Sequence, residues 1–152
     1  MAQDWLEEIT VRKLQDMMSL GQTTSRELVW AYLMRIGQYD KQGPALNSVL
    51  EISPEALFIA EALDQERART GPRGPLHGIP VLLKDNIDTA DMMHTSAGSI
   101  ALATSYARVD SFVAARLRQA GAVILGKAKM TEWANFMTQN MPGGYSSRGG
   151  QV

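Results

Sequence analysis

Two short apolar runs separated by one helical stretch constrain the fold most. Ile79 to Leu83 ("IPVLL") and Ala122 to Gly126 ("AVILG") are too short for helices and too apolar for surface loops, so both read as buried strands. Between them lie a polar passage, "DNIDTADMMHTSAGS", and a helical pattern, "SFVAARLRQA", which Asp110 is placed to cap and Gly121 to close. Strand, loop, helix and strand in that order predict a β-α-β crossover, with parallel strands and a right-handed connection. The fold class is α/β.

The first 70 residues carry helical punctuation instead. Val11, Leu14, Met17 and Met18 recur at helical spacing after Thr10, which predicts a helix over about residues 10 to 20 that Gly21 ends. Thr24 and Glu27 have the spacing of a capping box ahead of "LVWAYLMRI". Gly43-Pro44 marks a turn, and "LNSVLEI", Leu46 to Ile52, reads as a short strand. Ser53-Pro54-Glu55 predicts a third helix with serine as N-cap and proline at its first position, running to about Thr70. The glycines and prolines of "GPRGPLHG" then bend the chain into the strand at Ile79. Thr131 is expected to cap a last helix to about Met137, before the glycine-rich "NMPGGYSSRGGQV". At 152 residues this makes one domain, 1–152, helical over about 1–70 and forming the start of an α/β core over about 71–152.

Composition excludes more than it identifies. Fifteen basic residues against sixteen acidic ones give a net charge of -1, so no global field favours nucleic acid or an anionic membrane surface. The absence of cysteine excludes disulfides and thiolate zinc sites. No apolar run approaches the roughly 20 residues that span a bilayer. "MAQDWLEEIT" has neither the basic nor the apolar region of a signal peptide. The expectation is a cytoplasmic chain with no membrane span.

Lys84 is the first candidate for chemistry, because a charged residue abruptly ends the apolar run from Ile79. Position alone suits a solvated lysine whose methylenes cover the sheet edge. A functional reading comes from the rule that open α/β sheets bind ligands outside the carboxyl ends of their strands, which is where Lys84 projects. A lysine partly withdrawn from water there has its charged form disfavoured and can serve as a base for a serine nucleophile. Other candidates are weaker. Asp85 and Asp88 flank the next turn, but two carboxylates without further acids beside them make a poor cation site. His77 and His94, the only histidines, lack a metal-ligand spacing and read as structural or exposed. Gly144 and Gly149 have the interval of a phosphate loop, yet Gly150 stands where its lysine belongs. Ser146 and Ser147 read as turn residues.

Four blocks, "TTSRELVWAYLMRI", "GPLHGIPVLLKDNIDT", "TSAGS" and "DSFVAARLRQAGAVILGKAKMTEW", together resemble the amidase signature family, in the same order and at similar spacing over about residues 10 to 150. The block G-[IV]-P-[VIF]-x-[VL]-K-D-N is a hallmark of that family. The resemblance implies the N-terminal part of the amidase signature fold, a mixed β-sheet flanked by helices and incomplete in this chain. It implies hydrolysis of carboxylic amides by a lysine, a serine with a cis peptide bond and a nucleophilic serine, with no cofactor and no metal. Lys84 matches the family lysine. Thr95, Ser96, Ala97, Gly98 and Ser99 resemble the loop that lines the substrate site, and Asp85 and Asn86 are expected to brace the turn that aims the lysine.

Departures from the family pattern shape the expectation as well. The family block of the form G-G-S-S-G-G-S and the later block with the nucleophile follow a segment like "YSSRGGQV", and this chain stops at Val152. A truncated, inactive chain is therefore expected, with a small-molecule amide as substrate of the full-length enzyme and an open sheet edge available for self-association. Ala128 and Lys129 stand where many members carry threonine and asparagine. The alternative is a non-catalytic fragment or interaction module that keeps the amidase scaffold.

Overall fold

In the computed structural model, which describes residues 4–152, Val49–Ile52 (β1), Pro80–Lys84 (β2) and Val123–Ala128 (β3) form one open sheet with β3 in the centre. β2 runs parallel to β3, from Pro80 opposite Val123 to Lys84 opposite Ala128, and β1 runs antiparallel on the other side. The sheet is thus mixed. The helix between the parallel strands, Phe112–Gln119 (α4), makes the expected β-α-β unit. The remaining helices are Val11–Ser19 (α1), Ser25–Arg35 (α2) and Ala56–Thr70 (α3).

The central strand feeds two cores. Val123 and Leu125 pack with Val29 of α2 and with Ala60 and Leu63 of α3. Ile124 packs on the other side with Leu83, Met93 and Ala114 of α4. Val123, Ile124 and Leu125 are essentially inaccessible, and each such side chain contributes roughly 1.5–3 kcal/mol by leaving water. The run Ile79 to Leu83 departs from its expected full burial. Ile79 is buried but precedes the strand, and Leu82 is 42% exposed because β2 is an edge strand.

Helix starts follow local chemistry where nothing distant intervenes. Thr10 caps α1 through Lys13 N–H, and the capping box of Thr24 and Glu27 forms in both directions. Four expectations are corrected. Ser53 accepts from Glu55 N–H, which makes a turn, so α3 starts at Ala56 rather than at Pro54. β1 begins at Val49 rather than Leu46, because the Asp40 carboxylate accepts from the amides of Ser48 and Val49, and Ala45 and Asn47 lie in the left-handed region. α4 is capped by Ser111, whose hydroxyl accepts from Ala114 N–H, while the Asp110 carboxylate accepts from Ala90 N–H and Arg118. The last helix is only a short 3-10 turn, Glu132–Asn135. Trp133 and Ala134 have φ of 50° and 54°, and Thr131 accepts from Gly144 N–H instead of capping.

Candidate active site

Lys84 closes β2 with its side chain in solvent, and among the described residues its ammonium makes no hydrogen bond or ion pair. The backbone turns at once. Asp85 N–H donates to the Ala128 carbonyl at 3.0 Å, and Ile87 N–H donates to the Lys84 carbonyl at 3.0 Å. Asp85 is wholly buried, and its carboxylate accepts from Gly98 N–H at 2.8 Å, from Ser96 N–H at 3.3 Å and from the Ser96 hydroxyl. Its own carbonyl accepts from Ser96 and Ala97 N–H at 3.1 and 3.0 Å. The small residues at Ser96, Ala97 and Gly98 therefore wrap around Asp85, with Ala97 and Gly98 left-handed at φ 49° and 77°. That donor set occupies Asp85 and leaves nothing for a cation shared with Asp88. Among the described residues no cluster of three or more histidines and acids is arranged to hold a metal.

Beside this wrap opens a cavity of about 430 Å³. Thr95, Ser96 and Ala97 line it together with Asn86 and Asp88 from the turn, and Met130, Trp133 and Phe136 supply its apolar wall. Gly98, Ser99 and Lys84 are outside the lining, so only part of the expected substrate segment faces the cavity. Asn86 is exposed at its rim, whereas Asp85 braces the Ser96–Gly98 loop from below.

Polar groups from distant segments complete the surroundings. The Arg148 guanidinium donates to the Ser96 hydroxyl at 3.0 Å and to Glu51 at 2.9 Å, and lies 3.6 Å from Asp85. Glu51 also meets the His94 ring at 2.9 Å, and that ring packs on Tyr106. His94 is thus one member of a buried-edge charge network, not an isolated residue. His77 is structural: Nδ1 accepts from Arg73 N–H, which leaves the Nε2 proton for the Leu63 carbonyl at 2.9 Å. Ser146 is buried and accepts from Gly149 N–H, and Ser147 accepts from Ile100 N–H, both within loops.

Two further lysines, neither of them a site candidate from the sequence, lie close by. Lys127 has no solvent exposure, and its ammonium donates to the Ile87 carbonyl at 2.5 Å and to the Thr95 hydroxyl at 3.0 Å. Burial pushes its pKa down, and Asp85, Asp91, Asp88 and Glu51 oppose the fall. Lys129, at one of the positions that depart from the family pattern, donates to the Gly149 carbonyl, and burial followed by Lys41 lowers its pKa. The signal that could have found Lys127 is the one that singled out Lys84, a charge set in an apolar strand.

The Amidase family model matches residues 27–147, most of the chain. The chain belongs to the amidase family. A Schizosaccharomyces pombe protein that carries an amidase name is 46% identical over 146 residues, which are 96% of this chain and 24% of that one. The crystal structure of the native peptide amidase from Stenotrophomonas maltophilia superposes with a TM-score of 0.91 at 49% identity, covering 95% of this chain and 29% of that one. An amidase family protein from Bacillus anthracis gives a TM-score of 0.93 at 44% identity, over 97% and 29% of the two chains. The amidase fold is therefore the fold of these residues. The chain spans between a fifth and a third of the length of these amidase relatives. Among the described residues no helix is long and apolar enough to cross a membrane.

Proposed function

We propose that this chain forms the lysine-bearing part of an amide C–N hydrolase, with Lys84 as the proton-relay base. The observation that carries the proposal is the wrap of Ser96 to Gly98 around Asp85, which sets the wall of the cavity on the turn that leaves Lys84. Membership of the amidase family supports the chemistry. As the base, Lys84 takes a proton, through one serine, from the hydroxyl of a second. The serine oxygen bonds to the amide carbonyl carbon, the C–N bond breaks, and the nitrogen leaves with the relayed proton. Water then releases the acid from the acyl-enzyme. The two serines belong to the two successive blocks that the family resemblance puts beyond "YSSRGGQV", so the 152 residues are expected to be inactive alone. Thr95, Ser96 and Ala97 line the amide pocket, Gly98 and Ser99 support it, and Asp85 and Asn86 hold the turn.

Peptide amides are the first substrates to assay, because the 49%-identical relative is a peptide amidase. The protein that carries this segment is expected to release ammonia from them, and Lys84→Ala to lower turnover about 10²–10⁴-fold. Since Lys84 is exposed, that variant should melt with the parent, and undiminished turnover would remove Lys84 from the mechanism. Turnover by the 152 residues alone, abolished by Lys84→Ala, would refute their inactivity and keep the base.

A further inference from the structure

Lys127 stands on the central strand between Glu51 of β1 and Leu83 of β2, where methionine or leucine would fill similar volume without desolvating a charge. Its ammonium spends its donors on two particular acceptors. One is the carbonyl of Ile87, whose N–H closes the turn onto Lys84, and the other is the hydroxyl of Thr95, which lines the cavity. Those residues are the two ends of the loop that leaves the Lys84 turn and returns as cavity wall. We infer that Lys127 is a positioning residue of this site, a buried cross-brace that fixes the Thr95 wall relative to the turn bearing Lys84. Acids on every side oppose the loss of its charge: Asp85, Asp88 and Asp91 from the turn and loop, and Glu51 from β1. Breaking either bond frees one end of the loop and leaves a buried donor unmet.

The inference rests on the amide-hydrolase reading of the cavity, and its test does not depend on turnover. It is a double-mutant cycle of Lys127→Met and Thr95→Val in the full chain, read by hydrogen exchange at the amides of Thr95, Ser96, Ala97 and Gly98. Each single variant is expected to speed exchange there by about tenfold while amides of α1 and α2 keep native rates. The double variant should go no faster than Lys127→Met alone. Thr95→Ser, which keeps the hydroxyl, should restore the native rate. Additive effects, or equal loosening by Thr95→Ser and Thr95→Val, would overturn the brace. If Lys127→Met does not fold, the Thr95 pair decides alone: valine must loosen the loop and serine must not. Failure of the protein that carries this segment to hydrolyse any amide would overturn the hydrolase reading and leave the exchange result standing, whereas full turnover by Lys84→Ala would remove only Lys84 from the mechanism.

Discussion

Asp85 and Ser96, eleven positions apart, hold each other through both backbone and side chain: the Asp85 carbonyl and carboxylate each accept from Ser96 N–H, and the Ser96 hydroxyl donates to the same carboxylate. Removing the carboxylate strands Gly98 N–H, the Ser96 hydroxyl and part of the Arg148 guanidinium in a buried site. Asp85→Ala should therefore cost about 3–5 kcal/mol in urea unfolding. Asp85→Asn keeps an acceptor for Gly98 but loses the charge and turns N–H groups toward Ser96, for about 2 kcal/mol. Equal stability of Asp85→Asn and the parent would show that the charge is not what holds this loop.

Asp40 gives the fold an acid limit. Burial alone would raise its pKa, but hydrogen bonds from the Ser48 hydroxyl, Lys41 and the Ser48 and Val49 amides outweigh burial and lower it from 3.8 to about 2. A carboxyl whose folded pKa is depressed stabilises the protein fully above its unfolded pKa, and that contribution fades as pH falls from about 4 to about 2. The contribution is about 2 kcal/mol. Asp40→Asn should be less stable by that order at pH 7 and should show a flatter stability profile between pH 4 and 2. A parallel profile for variant and parent would refute the assignment.

Gly98 and Gly21 make a matched pair for testing crowding at the cavity. Both have positive φ, +77° and +67°, but a Cβ at Gly98 would sit 2.8 Å from Ser146 Cβ and 3.3 Å from the Met130 carbonyl, whereas one at Gly21 meets nothing within 4 Å. Gly21→Ala should cost only the backbone strain of about 1–2 kcal/mol. Gly98→Ala adds overpacking of about 1–3 kcal/mol and should melt well below Gly21→Ala. Equal melting temperatures would mean that Ser146 gives way freely.

What the sequence made legible was local. The Thr24 and Glu27 box closes within four residues, and the parallel pair β2–β3 follows from two apolar runs with one helix between. What it hid depends on distant partners. Arg148 meets Glu51 across 97 positions, and Lys127 meets Ile87 across 40. Neither spacing leaves a periodic trace. Misplaced boundaries have the same origin: Asp40 captures the amides that would have begun β1 sooner, and Gly144 captures the hydroxyl of Thr131 that would have capped a helix.

Along β2 and β3, Val81 faces Ile124 but Leu82 faces Gly126, so Leu125 is one residue more than its neighbour strand can match. A single supernumerary residue reverses the parity of everything after it. Without it, Lys127 would share the side of Val123 and Leu125 and drive its ammonium into the hydrocarbon of Ala60 and Leu63. With it, the lysine emerges on the side of Ile124, toward Ile87 and Thr95. An odd count in one strand decides which layer of the molecule receives a positive charge.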